Sequence, residues 1–177
     1  HWGATRASGE YILFTDGDIL FDPSALRRAI AFASHEQADM LAVMPELILG
    51  DVLERLAVFV FGHSFVVAFP PDKAIDPNSR RFVGVGAFNL VNADTYRRVG
   101  GHEPLRLQVL DDVGLGKLVK DNGGRLRVAF GNGMVKVRWY ENTAAMIRGL
   151  EKNAFAGMGF SAVRTIGACL AVLTVYW

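Results

Sequence analysis

Short apolar runs and helically spaced apolar positions alternate along the first part of the chain. The apolar run at 11–15 predicts a buried strand, and the run at 40–44 predicts a second one. Between them, Asp22 and Pro23 are typical of a helix start, and the apolar residues that follow recur at helical spacing. Strand, helix and strand in this order indicate the βαβ unit of a parallel sheet.

The later part of the chain continues this pattern of short strands and helices. It predicts a glycine-punctuated loop entering a strand at 82–91, a short helix at 92–99, a helix from Asp111 to Gly123, strands at 126–130 and 134–138, and a helix at 142–158. The polar segment 70–81 predicts a loop. The expected fold class is therefore α/β.

Two uncharged apolar segments contribute strongly to the high mean hydropathy of +0.22. The segment 56–69 is interrupted by Gly62 to Ser64, which predicts an interfacial membrane helix over 51–70. The segment 165–177 is shorter than the roughly 20 residues that cross a bilayer. We expect it to be the truncated start of a transmembrane helix within 159–177, with a buried helix as the alternative. Since the chain begins at His1 and ends in an apolar run, we expect a piece of a longer protein.

Composition and charge exclude several classes of protein. The 177 residues carry 19 Lys and Arg against 18 Asp and Glu, a net charge of +1 that offers no basic field for nucleic acid. A hydrophobic share of 51% excludes a disordered chain. The single cysteine, Cys169, excludes a disulfide framework and a zinc site built from cysteines.

Two acidic pairs are the strongest candidates for chemistry. Asp16 and Asp18 follow a predicted buried strand, where two carboxylates suit Mg²⁺ or Mn²⁺ and, through it, a diphosphate. A phosphotransferase of the haloacid dehalogenase type is an alternative, but Leu20 stands where that motif has Thr or Val. Asp111 and Asp112 stand at a helix start, either as caps or, for Asp112, as a base for a sugar hydroxyl.

Four segments together resemble membrane-associated family-2 glycosyltransferases. They read GEYILFTDGDILFDPSALRRA, FVGVGAFNLVNADTYRRVGGHE, VLDDVGLGKLVKDNGG and VRWYENTAAMIRGLEKNAFAG. The sequence is most similar to ceramide glucosyltransferase-like enzymes and to bacterial hopanoid- and carotenoid-associated glycosyltransferases. This resemblance implies a GT-A fold, which is Rossmann-like with a mixed, mainly parallel sheet. It also implies that 1–158 is a partial catalytic domain that lacks the N-terminal nucleotide-binding half.

The resemblance also implies roles for individual residues. The metal-binding Asp-x-Asp motif falls on Asp16 and Asp18, and the acidic motif falls on Asp111 and Asp112, of which Asp112 is the general base. The Gln/Arg-x-x-Arg-Trp motif ends at Arg138 and Trp139, with Val135 standing at its Gln/Arg position. Arg138 is expected to offset the charge of the leaving diphosphate, and Trp139 to stack on a sugar or flank the acceptor.

The remaining implied contacts lie in two loops. Gly84, Gly86 and Ala87 correspond to the loop beside the donor sugar, with a β-bulge as the alternative explanation of the glycines. His102 corresponds to a loop facing the acceptor, with a solvated turn as the alternative. Without the resemblance, Arg138 and Trp139 read as an ordinary strand end.

The function predicted from these residues is inverting sugar transfer. The donor is a nucleotide diphosphate sugar, the acceptor a lipid or membrane-associated hydroxyl, and the site lies on the cytoplasmic face of a membrane, expected to be a bacterial inner membrane. Two alternatives stay open. A processive polysaccharide synthase would share the acidic motifs, and a catalytically inactive membrane-anchored domain would serve as a scaffold. We expect the 177 residues alone to be inactive, since the nucleotide-binding half is expected to lie outside them.

Overall fold

A computed structural model describes residues 2–157 and 161–176 of the chain. It contains two compact units, one that ends at Trp139 and one that begins at Tyr140. The strands are β1 Tyr11–Phe14, β2 Ile19–Phe21, β3 Met40–Met44, β4 Glu46–Leu47, β5 Asn89–Asn92, β6 Leu126–Phe130 and β7 Val135–Val137. The helices are α1 Ala25–His35, α2 Val52–Ala68, α3 Pro71–Ile75, α4 Ala93–Arg98, α5 Asp111–Asp121, α6 Thr143–Gly157 and α7 Ala162–Tyr176.

The main sheet has four strands in the order β1-β5-β3-β6. The predicted α/β class is confirmed, and the first strand and the second strand of the predicted βαβ unit, β1 and β3, run in the same direction. The prediction that this unit belongs to a parallel sheet is wrong, because the two strands are not neighbours. Strand β5 lies between β1 and β3 and runs antiparallel to both, while β3 and β6 are parallel. Two of the three strand pairings in this sheet are antiparallel, so the sheet is mixed but not mainly parallel.

The core lies on both faces of this sheet. Alternate residues of β3 face opposite ways, as a strand requires. Met40 and Ala42 pack toward Leu115 and Val119 of α5, and their neighbours on β3 pack toward the buried alanines of α1. Because both faces are covered, the strands read as continuous apolar runs that carry no signal of direction.

A second sheet of three short strands, in the order β2-β7-β4, was not predicted from the sequence. Strand β2 is antiparallel to β7, with Ile19 paired with Val137. Leu20 and Phe21 are exposed, at 60% and 42% of their accessible surface, so β2 lacks the pattern of a buried strand. The pairing brings the segment after Asp18 to the segment before Arg138.

Helix α2 forms where the sequence predicts the interfacial helix. Asp51 caps it, because the Asp51 Oδ1 accepts a hydrogen bond of 2.8 Å from the backbone N–H of Glu54. One side of the helix is exposed and apolar, with Leu53, Leu56 and Phe59 between 57% and 65% exposed. Over the described residues, Val52–Ile75 is the stretch long and apolar enough to cross a membrane, with mean hydropathy 1.7 and 6% of that window buried.

Two further segments bear on the sequence predictions. Part of the predicted loop at 70–81 is the short helix α3, where Pro71 occupies the first turn. In the second unit, α7 covers most of the expected start of a transmembrane helix, and its Val163, Ile166 and Leu170 are exposed. Residues 159, 160 and 177 of that prediction, and residue 158 at the end of the predicted helix 142–158, lie outside the described residues.

Candidate active site

The loop before β5 lies against the end of β1. The backbone N–H of Asp16 donates to the carbonyl oxygen of Gly86 at 3.0 Å. The hydroxyl of Thr15 donates to the carbonyl oxygen of Ala87 at 2.9 Å, and Ala87 itself is buried. These two hydrogen bonds place Gly86 and Ala87, which the sequence predicts in the loop beside the donor sugar, next to Asp16, which it predicts as a metal ligand.

Asp112 reaches the same loop from the first turn of α5. The backbone N–H of Gly86 donates to Asp112 Oδ2 at 2.8 Å. The buried Asn89 supports this contact on two sides, because its Nδ2 donates to the Asp112 carbonyl at 3.3 Å and its Oδ1 accepts from the Val85 N–H at 3.0 Å. The side chain of Asp112 therefore binds the loop rather than capping its own helix through the N–H groups of the next turn.

Two glycines make this close approach possible. A Cβ atom at Gly86 would lie 2.8 Å from Asp16 Oδ2, and one at Gly84 would lie 1.9 Å from the carbonyl oxygen of Asp112. The contact at Gly84 is with backbone atoms, which cannot move aside, so close backbone approach accounts for this glycine. The neighbour of Gly86 is the end of the Asp16 side chain, which can shift. The proposed contact of this loop with a donor sugar stays a prediction.

The carboxylates share one electrostatic environment. Burial raises the pKa of Asp112, the negative charges of Asp111 and Asp16 raise it further, and the N–H groups of Val113 and Gly86 act against the rise. Burial also raises the pKa of Asp16, with Asp18 and Asp111 adding to the effect. The structure therefore brings all four predicted acidic residues together, and their mutual repulsion favours a bound proton or cation.

Asp16 and Asp18 fit an open site for a divalent cation, in which the protein supplies only two carboxylate ligands. The described residues contain no group of three or more His, Cys, Asp and Glu side chains suited to hold a metal ion. Mg²⁺ is commonly held by one or two carboxylates, with water and substrate phosphates completing the shell. The repulsion between Asp16 and Asp18 and the exposed position of both residues fit that open type of site.

His102 lies beneath β1 in a cluster of three rings. Its Nδ1 is 2.8 Å from the hydroxyl of Tyr96, and its ring meets that of Phe14 edge-on at 4.7 Å between centroids. Burial lowers the pKa of His102, and the charge of Asp111 acts in the opposite direction. His102 thus lies in a turn, half-buried and hydrogen-bonded, and its expected position facing the acceptor stays a prediction.

Arg138 and Trp139 contact α2, and Arg138 also contacts the segment before it. Arg138 Nη1 donates to Glu54 Oε2 and to the carbonyl oxygen of Ile48, both at 2.9 Å. The Trp139 ring lies 4.9 Å from that of Phe61. The expected contact of Arg138 with a diphosphate stays a prediction. Val135, at the Gln/Arg position of the motif, is 3% exposed within the core, where an apolar side chain belongs.

Sequence reasoning did not single out Asn89 or Glu54. Asn89 is 1% exposed and Glu54 is 2% exposed, so both are polar residues inside the fold. The available signal was a polar residue within an apolar strand for Asn89, and an acid three residues after Asp51 for Glu54. Neither signal indicates the partner that each side chain reaches.

No protein-family model and no curated protein sequence matches this chain. The central feature of the site is the meeting of two acidic segments, far apart in sequence, at one glycine loop.

Proposed function

We propose that this chain belongs to the catalytic part of an inverting glycosyltransferase with a GT-A fold. It would move a sugar from a nucleotide diphosphate sugar to a hydroxyl of a lipid at a membrane, with the site on the cytoplasmic face. The observation that supports this is the junction at Gly86. Its N–H donates to Asp112 and its carbonyl oxygen accepts from the backbone N–H of Asp16, so the two residues proposed as base and as cation ligand lie side by side.

Asp112 has the properties of a general base. The Gly86 N–H orients its carboxylate, and burial raises its pKa, which strengthens it as a proton acceptor. In the proposed reaction, Asp112 takes the proton of the acceptor hydroxyl while that oxygen attacks the anomeric carbon. The bond to the diphosphate oxygen breaks in the same displacement, which inverts the configuration at that carbon.

Asp16 and Asp18 would hold Mg²⁺ or Mn²⁺. Such a cation, when bound, neutralises negative charge on a departing diphosphate. Both carboxylates belong to the turn that follows β1. The position of this turn would therefore set the position of the cation and, through it, of the diphosphate end of the donor. The exposed apolar face of α2 supports the membrane part of the proposal, since an isolated soluble domain gains nothing from exposing it.

The test is sugar transfer by membranes that carry the complete gene product, assayed with labelled nucleotide diphosphate sugars and extracted lipid. We expect Asp112→Asn to lower kcat by about a hundredfold or more, because an amide cannot accept the proton. The matched control is Asp121→Asn at the other end of α5, where the side chain is half-exposed and pairs with Lys117. Wild-type transfer by Asp112→Asn would refute the base assignment, and transfer unchanged by excess EDTA would refute the cation site.

A further inference from the structure

Two consecutive residues at the end of β7 hold α2 at two places. Arg138 binds Glu54 in the first turn of the helix, with Nη1 2.9 Å from Oε2. Trp139 packs against Phe61, which lies seven residues further along the helix and therefore about two turns on. A single strand end thus fixes both the position and the direction of α2.

The Glu54 carboxylate is enclosed at this junction. Its side chain is 3% exposed, and its Oε2 also accepts a hydrogen bond of 2.5 Å from the backbone N–H of Gly50. The side chain of Arg138 is 36% exposed. Because a buried carboxylate is costly without a cation beside it, α2 is held in place most strongly when Arg138 pairs with Glu54.

The other side of β7 leads to the acidic turn. In the antiparallel ladder, Ile19 pairs with Val137, and continuing the same register by one residue sets Asp18 opposite Arg138. Asp18 directly precedes β2, just as Arg138 directly follows β7. The residue that holds α2 and the predicted metal ligand therefore flank the last pair of this ladder, Ile19 and Val137.

We propose that Arg138 and Trp139 are positioning residues that couple the seating of α2 on a lipid surface to the geometry of the Asp16-Gly17-Asp18 turn. Lipid binding restrains α2, the two contacts pass that restraint to β7, and the β2–β7 ladder passes it to Asp18. This inference rests on the proposed function in two respects, since it takes this turn as the cation site and α2 as the helix that faces the lipid. It gives Arg138 a role that does not require contact with a diphosphate.

Coupling of this kind is reciprocal. If lipid binding tightens cation binding by some factor, then a bound cation tightens lipid binding by the same factor. The dissociation constant for Mn²⁺ can be measured by electron paramagnetic resonance on the chain, with and without phosphatidylcholine vesicles. These vesicles are chosen because anionic headgroups would bind Mn²⁺ themselves.

For the wild type we expect vesicles to tighten Mn²⁺ binding by about five- to tenfold, an ordinary coupling between two sites. Glu54→Gln is expected to reduce this ratio to about one, since it removes the charge that holds Arg138 while keeping the shape of the side chain. Trp139→Ala removes the second contact without burying a charge, and it decides the matter if Glu54→Gln does not fold. The control Asp94→Asn breaks an exposed ion pair with Arg97 and should keep the wild-type ratio.

The outcomes separate the two proposals. A ratio above one in the wild type that persists in both variants overturns the positioning role of Arg138 and Trp139 and leaves the cation site standing. A ratio of one in the wild type overturns the coupling itself and also leaves the cation site standing. Absence of any Mn²⁺ binding by the wild type overturns the cation site of the proposed function, and the inference with it.

Discussion

At the scale of single residues, Asp112 combines two properties that oppose each other. Its carboxylate is half-buried beside two other acids, which raises its pKa, and it is held by the N–H of Gly86. A base of this kind gains proton affinity at the expense of folding stability, because the folded state must hold a charge that it disfavours.

Asp112→Asn should therefore be more stable than the wild type at pH 7 in buffer without divalent cations. Folding favours the protonated acid, so its contribution to stability is present below the unfolded pKa and lost as the pH rises through the raised folded pKa. The amide carries no charge and still accepts from Gly86. We expect the Tm of Asp112→Asn to lie about 2–5 °C above that of the wild type at pH 7. This difference in Tm should shrink as the pH is lowered toward 3.8, the ordinary pKa of an aspartate.

Differential scanning calorimetry across this pH range checks the expectation. Asp121→Asn, in a half-exposed pair with Lys117, is the control and should not raise Tm. A lower Tm for Asp112→Asn at pH 7 would mean that the ionised carboxylate stabilises the fold.

The acidic residues could be predicted from the sequence because each pair adjoins a strand or helix end that is itself readable. Asn89, which supports Asp112 through two hydrogen bonds, could not be predicted. Its importance depends on a contact across 23 residues of sequence, and no local pattern encodes that contact.

At the scale of elements, the loop at 83–86 and α5 interlock through their backbones. A Cβ at Gly116 would lie 2.0 Å from the carbonyl oxygen of Val83, and one at Gly84 would lie 1.9 Å from that of Asp112. Gly84 belongs to the loop and Gly116 to the helix, so each side of the contact contributes one glycine. The distance between the loop and the helix is therefore set by the absence of side chains on both.

Gly116→Ala should destabilise the chain although alanine is the better helix former. Intrinsic propensity favours alanine by about 1 kcal/mol in a helix interior, but the clash with Val83 forces α5 outward at a cost of about 1–3 kcal/mol. The difference between these two effects is a net loss of stability of up to about 2 kcal/mol in urea unfolding, which we expect together with weaker Mn²⁺ binding.

The control for that measurement is Gly62→Ala, inside α2, where a Cβ meets nothing within 4 Å. It should leave the chain equally stable or stabilise it. If both substitutions stabilise to the same extent, the interlock is looser than these distances indicate.

Helices α1, α2, α4, α5 and α6 appear where the pattern predicts them, because each presents a cap, a periodic apolar face or a terminal glycine. The antiparallel entry of β5 between β1 and β3 could not be predicted. Residues Leu90 and Val91 are buried on opposite faces, at 1% and 0% exposure, and such a strand looks the same in either direction.

At the scale of the whole molecule, the excess of apolar residues lies partly in the core and partly on one exposed helix face. Val52, Leu56 and Phe59 belong to α2 and are 57% to 71% exposed. Single exposed apolar residues are ordinary, but a contiguous set on a helix indicates a surface that is covered by something else.

The chain should sediment with phosphatidylcholine vesicles, and Phe59→Asp should weaken that binding by about tenfold or more, since burying a phenylalanine ring is worth about 2 kcal/mol. Leu107→Asp is the control, because Leu107 is the more exposed residue at 90% and lies away from α2 in sequence. Equal loss from both substitutions would mean that exposed apolar area in general, and not the α2 face, binds lipid.

The interlocked glycines also bear on how a distant sequence sharing this geometry can be recognised. Acids are common at strand and helix ends, so a chain that keeps them can have lost the site. A chain with any side chain at the position of Gly84 or Gly116 cannot seat its helix at this depth, whatever acids it carries. Comparing divergent sequences at the positions of Gly84 and Gly116 would separate those that keep the close contact between loop and helix from those that keep only the acidic residues.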